Sequence, residues 1–233
     1  MKFRLRTRLT AEFLGSAFLV AAVVGSGIMG ERLAGGNIAI ALLANTGAAL
    51  LTLILTFGPI SGAHFNPAVS LAVAIERGLA WPDAAAYIGV QYAGAVFGAV
   101  VAHLMFGVRW YSFSSHPRHG GAQLLSEFVA AFGSMSVIWG CSRLRADATP
   151  FAVASYIVAA YWFTASTSFA NPAVTIARCL SDTFAGIRPV DVPGFIVAQL
   201  AGALAATFLF RWLVPEELLP LPDATCADGN ILG

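Results

Sequence analysis

The sequence carries Phe-Asn-Pro-Ala-Val at residues 65–69 and Ala-Asn-Pro-Ala-Val at residues 170–174, and this duplication constrains the fold more than any other feature. Asn is a favoured N-cap and Pro is preorganised for the first helical position, so Asn66-Pro67-Ala68 and Asn171-Pro172-Ala173 should each open a helix. The first can run only from Pro67 to about Glu76, where Arg77-Gly78 and then Trp81-Pro82-Asp83 break it. At about 1.5 Å per residue that helix is roughly 15 Å long, half of a hydrocarbon core about 30 Å thick.

The membrane comparison is warranted by composition. With 58% hydrophobic residues, 11% charged residues and a mean hydropathy of +0.77, the chain reads as a polytopic membrane protein. Irregular backbone leading into a half-helix survives in lipid only where protein buries it or a watery cavity bathes it. Two half-helices in corresponding halves of one chain therefore point to a central pathway. If their N-termini meet at the midplane, each brings a partial charge of about +0.5. The sum repels a monovalent cation some 4 Å away by about 4 kcal/mol at an effective dielectric of about 20, before any cost of stripping its hydration shell. With their oxygens spent on capping, Asn66 and Asn171 would aim amide N–H groups into the lumen as donors for a neutral, oxygen-bearing solute.

In chain order, Lys2, Arg4, Arg6 and Arg8 precede a first apolar span, about residues 9–29. A cleaved signal peptide begins in the same way, but Glu12 inside the span and the repetition of the pattern in the second half argue for a retained helix. A short loop at 31–36, a second span at about 37–57 and a bend at Gly58-Pro59-Ile60-Ser61-Gly62 lead into Asn66. A third span at about 82–106 closes the first half, and the polar connection 107–121 links it to the second. Spans at 123–141, 150–166 and 192–214 then flank the second Asn-Pro-Ala, and 215–233 is a loose tail rich in proline and acidic residues. The whole reads as one membrane domain, with repeats at about 8–106 and 122–214.

Internal repetition supports this plan. Ala11-Glu12-Phe13-Leu14 resembles Ser126-Glu127-Phe128-Val129, and Gln91-Tyr92-Ala93-Gly94-Ala95 resembles Gln199-Leu200-Ala201-Gly202-Ala203. Three full spans per half, an odd number, set the halves in opposite orientations, so the copied half-helices enter from opposite faces. Lys2, Arg4, Arg6, Arg8, Arg77, Arg143, Arg145 and Arg211 then share one side, against five arginines on the other. By the positive-inside rule the first side is cytoplasmic and holds both termini, in a cell inner membrane.

The net charge of +1 and the lack of a basic run argue against nucleic acid as a partner. Cys141, Cys179 and Cys226 show no metal-ligand spacing and are expected as free thiols, with no metal or other cofactor. No nucleophile–base pair or phosphate loop stands out, so the chain does not read as an enzyme.

The duplicated Asn-Pro-Ala, the lead-in Ser61-Gly62-Ala63-His64, the Glu of each first span and the Gln-x-x-Gly of each third span resemble the aquaporin family over about residues 8–214. The resemblance implies an all-α polytopic membrane protein with six tilted transmembrane helices, two re-entrant half-helices and an inverted repeat. It also implies a homotetramer with one pore for small neutral solutes per subunit. Most members follow the second Asn-Pro-Ala with an arginine of the selectivity filter; here that residue is Val174. Counting back without gaps, the other filter positions would be Thr46, Ala159 and Ser168, a wide constriction without aromatic or charge. A single-residue gap would bring Ala160 or Tyr161 to the place of Ala159. The run from Asn171 to Arg178, continued by Asp182-Thr183-Phe184-Ala185-Gly186-Ile187, looks like bacterial aquaglyceroporins associated with arsenic resistance. That likeness implies passage of arsenite as its neutral hydroxide, and of small methylated arsenicals, beside glycerol-like polyols and water.

Several residues carry two readings. Arg178, one turn beyond Val174 on the same face, either restores cation exclusion at the outer mouth or snorkels to the interface. Glu12 and Glu127 either couple transport to protons or accept hydrogen bonds from loop backbone beside each half-helix; their symmetric placement favours the second. His64 either lines the pore or holds the loop, while His103, His116 and His119 are expected at the surface. A passive channel is thus set against a proton-coupled transporter using the two glutamates, and against a scaffold of the same fold with negligible flux.

Overall fold

A computed structural model describes residues 3–34 and 45–215. Its helices are α1 (Leu5–Ala34), α2 (Thr46–Ser61), α3 (Pro67–Ile75), α4 (Trp81–Met105), α5 (Gly121–Leu144), α6 (Thr149–Phe163), α7 (Pro172–Arg178) and α8 (Val192–Leu213). Among the described residues there is no strand. By length and composition α1, α4, α5 and a span ending in α8 can cross a membrane, and α2 is a shorter apolar helix.

Beside an apolar interior, the molecule buries polar side chains completely and leaves large apolar ones exposed. Glu12, Gln91, Glu127 and Gln199 are fully buried, whereas Phe18, Phe97, Leu125, Val197 and Trp212 lie more than half exposed. Apolar side chains cover the outside and charge-bearing ones converge inside, the arrangement that lipid as a solvent selects. Trp81, Trp162 and Trp212, all exposed near helix ends, suit an interfacial aromatic belt.

Packing repeats about an internal two-fold relation. α1 lies along α4 as α5 lies along α8, α2 meets α6, and α3 meets α7. Lipid gives no hydrophobic drive to helix pairing, so close backbone approach must supply the contact energy. At Gly94 and Gly98 a Cβ would run into the backbone of Phe13 and Ala17, and at Gly202 into that of Phe128 and Phe132. These glycines are what lets each half close.

The structure departs from the sequence expectation at the end of α1, at the end of α2 and at His103. α1 continues through Glu31-Arg32-Leu33-Ala34, expected as loop, because these residues are all competent helix formers. α2 runs on through Pro59 to Ser61. The chain turns one residue later, at Gly62, whose φ of 90° a side chain would oppose. His103 is buried, not exposed, and bridges the Trp110 carbonyl and the Ser181 hydroxyl at 2.9 Å each. His116 and His119 are exposed. Most of the expected tail, Cys226 and the start of the second span fall outside the described residues.

Candidate functional site

The nine-residue α3 and seven-residue α7 meet at their N-termini. Each is capped as the sequence dictates: Asn66 Oδ1 accepts from the Ala68 N–H at 2.9 Å, and Asn171 Oδ1 from those of Ala173 and Val174 at 2.9 and 3.3 Å. The side-chain amides then cross between halves. Asn66 Nδ2 donates to the Ala170 carbonyl at 2.9 Å, and Asn171 Nδ2 to the Phe65 carbonyl at 2.8 Å. One N–H of each amide is thereby spent on the junction, so each asparagine keeps a single amide proton for the lumen where the sequence suggested two.

The backbone leading into each junction is strained, and a buried carboxylate holds it. Ala63 and Phe65 have φ of 51° and 47°, and Ser168 and Ala170 have 47° and 49°. Thr167 sits at 59° where the first half has Gly62. A left-handed backbone costs an L-residue of order 1–2 kcal/mol. Against this, Glu12 accepts the Ser61 hydroxyl (2.6 Å) and the His64 N–H (3.0 Å) on one oxygen, and the Phe65 N–H (2.7 Å) and Gln91 amide (2.8 Å) on the other. Glu127 repeats the pattern with the Phe169 and Ala170 N–H groups, both at 2.9 Å, and the Gln199 amide at 2.6 Å. Hydrogen bonds to a buried charge contribute about 1.5–3 kcal/mol each, enough to outweigh the strain.

A cavity of about 270 Å³ runs past this junction, walled by both halves. Its lining combines aliphatic side chains such as Leu19, Leu50, Ile54 and Ile157 with Ser134, Ser142 and Thr149 and with the two loops that carry His64, Asn66, Ser168 and Asn171. The carbonyls of Ala63, His64, Ser168 and Phe169, residues that line the cavity, accept no hydrogen bond from any described residue. Neither Glu12 nor Glu127 lines the cavity.

The cavity lining also includes Thr46, Tyr161, Ser168, Val174 and Arg178. The Arg178 guanidinium is fully buried, with Nε donating to the Ala185 carbonyl and Cζ stacked 3.3 Å from the centre of the Phe169 ring. Its Nη2 and the Ser168 Oγ are buried with no hydrogen-bond partner among the described residues. The snorkelling alternative for Arg178 is thereby excluded: the side chain turns inward, to the same cavity as Val174.

Most residues singled out in the sequence converge here, and one does not. Pro67, Ala68, Pro172 and Ala173 are buried in the first turns of α3 and α7, and His64 faces both the cavity and, through Nδ1 at 3.0 Å, the Ser70 hydroxyl. Ala159, the fourth position obtained by ungapped counting, is exposed on the outside of α6 and does not line the cavity. Tyr161 is buried and does line it, since two residues turn an α-helix by roughly 200° and carry a side chain to the opposite face. Phe169 and Arg118, which pack with Arg178, were not marked by any motif. The register of the repeat pointed to Phe169, as the counterpart of His64.

Comparison with known proteins agrees with this architecture. The chain matches the major intrinsic protein family over residues 2–155 and 136–229. It is 53% identical over 216 residues to an aquaglyceroporin, AqpS, of Rhizobium meliloti, covering 91% of this chain and 92% of that protein. It is 31% identical over 209 residues to aquaporin NIP1-1 of rice, Oryza sativa, covering 88% of this chain and 73% of the relative. The X-ray structure of the Plasmodium falciparum aquaglyceroporin shares the fold, with a TM-score of 0.65 at 19% identity over 90% of this chain and 95% of that one. The paired short helices agree with these matches, which place the chain in the major intrinsic protein family of membrane channels.

Proposed function

We propose that the chain is a passive channel for small uncharged hydroxylated solutes, namely water, glycerol-like polyols and arsenite with its small methylated derivatives. The observation that carries this reading is the lumen itself: loop carbonyls that accept from no described residue and two asparagine donors share its lining with aliphatic side chains of both halves. A polyol fits such a surface edge-on, exchanging water for protein hydrogen bonds on one side and resting its carbon backbone on the other. The R. meliloti relative's name, an aquaglyceroporin, is consistent with that solute class. In this reading six helices cross a bacterial inner membrane, α3 and α7 enter it half-way from opposite faces, both termini are cytoplasmic, and four copies assemble with one lumen each.

The filter of this reading consists of Thr46, Tyr161, Ser168 and Val174, with Arg178 supplying the fixed positive charge that position 174 lacks. It is narrower and more polar than one built on Ala159 would be. Proton coupling finds no support, because Glu12 and Glu127 are saturated with loop donors and turned away from the lumen. Swelling and uptake by liposomes holding the purified protein, with water, glycerol, urea and arsenite side by side, test the proposal. Rapid equilibration without accumulation is expected, and the absence of all four fluxes would refute it.

A further inference from the structure

The connection between the halves carries a buried arginine with no counterpart in the first half. Arg118 is 6% exposed, and its guanidinium donates along two separate strands of chain. On one side Nη1 reaches the Ser166 carbonyl at 3.0 Å and the Thr167 hydroxyl at 3.4 Å, in the strained loop leading into α7. On the other, Nη2 reaches the Phe184 carbonyl at 3.0 Å and Nε the Gly186 carbonyl at 2.7 Å, in the loop leaving α7. Ala185, whose carbonyl anchors Arg178, lies between these last two. Three successive carbonyls are thus held by two guanidinium groups, which also flank the Phe169 ring at 3.3 and 5.0 Å.

The internal repeat shows what this arrangement replaces. In the first half, Tyr87 donates its hydroxyl to the Ser61 carbonyl at 3.0 Å and sets its ring 5.4 Å from His64. The equivalent residues are Phe195, Ser166 and Phe169, and the ring pair Phe169–Phe195 keeps the same edge-on contact at 5.2 Å. Phe195 has no hydroxyl, so the Ser166 carbonyl would be orphaned in the interior. Arg118 meets that need from a different part of the chain. Hydrogen bonds before Arg118 and at its own N–H fasten the connecting segment in place. Ser112 and Ser114 donate to the Leu180 and Cys179 carbonyls at 3.0 and 2.9 Å, and the Arg118 N–H donates to Asp191 at 2.8 Å.

We infer that Arg118 is a positioning residue for solute selection: it fixes Ser168 and Arg178 relative to one another by tying the loops on both sides of α7. The inference rests on the channel reading above. A planar fork with several donors in fixed directions can hold two strands at once, and an ammonium cannot. Burial lowers the Arg118 pKa to about 10, which still leaves the group charged at neutral pH. Its charge then adds to that of Arg178 behind the same aromatic ring.

The test compares the permeability ratio of a four-carbon to a three-carbon polyol in liposomes holding the wild-type protein, Arg118→Ala, Arg118→Lys, and Arg118→Ala combined with Phe195→Tyr. Arg118→Ala should raise the ratio by roughly tenfold, equivalent to about 1.4 kcal/mol in relative barrier. Arg118→Lys should fold and still raise it, and Phe195→Tyr, which restores a donor for Ser166, should bring it back toward the wild-type value. A wild-type ratio in Arg118→Lys, or a raised ratio that Phe195→Tyr leaves unmoved, would overturn the inference even where Arg118→Ala does not fold. Polyol flux through the wild-type protein with unchanged ratios in the variants removes only the role of Arg118. No wild-type flux at all removes the channel reading.

Discussion

Asn66 and Asn171 exchange hydrogen bonds across the junction of the two halves, each giving one amide proton to the carbonyl that precedes the other's helix. The cap that opens each half-helix is therefore also the bond that joins them. Oδ1 starts the helix, one Nδ2 proton fastens the opposite half, and the second proton is left for the lumen.

Asn66→Asp separates these functions. The carboxylate still caps α3, but the donor to Ala170 is lost and a negative charge enters at the positive ends of two helices. Loss of a buried donor should cost about 1–3 kcal/mol of stability. Sodium leak into liposomes should rise while glycerol still passes, and a variant as cation-tight as the wild type would show that the helix ends do not set the barrier.

Glu12→Gln tests the carboxylate cradles. The replacement puts an NH₂ group in place of one of two oxygens that together receive four donors. Destabilisation of about 3 kcal/mol is expected from hydrogen bonds to a buried charge that are lost or reversed, read as a lowered unfolding temperature in detergent. Solute flux per folded molecule should stay independent of an imposed pH gradient. Flux that follows the gradient in the wild type and loses it in the variant would restore proton coupling.

Val174 and Arg178 occupy successive turns of one helix face on the same cavity. Arg178→Leu should admit larger polyols and increase cation leak. Val174→Arg should do the reverse, because a second guanidinium then shares the constriction with the first. Unchanged polyol and arsenite permeability in Val174→Arg would show that residue 174 lies off the path.

Tyr161 and Ala159 give a direct contrast on α6. Ala159→Leu adds bulk to an exposed face and should leave permeability as it was, whereas Tyr161→Ala removes a ring from the lumen wall and should raise glycerol flux. The opposite result would reinstate the ungapped count.

That contrast also shows where the sequence stops being legible. The half-helices could be read because Asn-Pro-Ala states its geometry locally, and the glutamates because each half repeats them in register. Helix α6 offers no such handle: Ile157 to Trp162 is apolar or aromatic throughout, so no polar stripe says which side faces water. Arg118 was illegible for a different reason. Its partners are 48 to 68 residues away, and nothing local distinguishes a buried arginine in a polar loop from a solvated one. Its signal was indirect, in the hydroxyl that Phe195 lacks when set against Tyr87.

The central claim is that two opposed helix ends leave a lumen open to neutral molecules and closed to positive ions. Glycerol influx and potassium current, recorded on the same preparation of protein-bearing liposomes, test it together. Glycerol equilibration well above that of empty liposomes, with potassium current at their level, is the expected result. A potassium conductance that rises in proportion to glycerol influx would contradict the account.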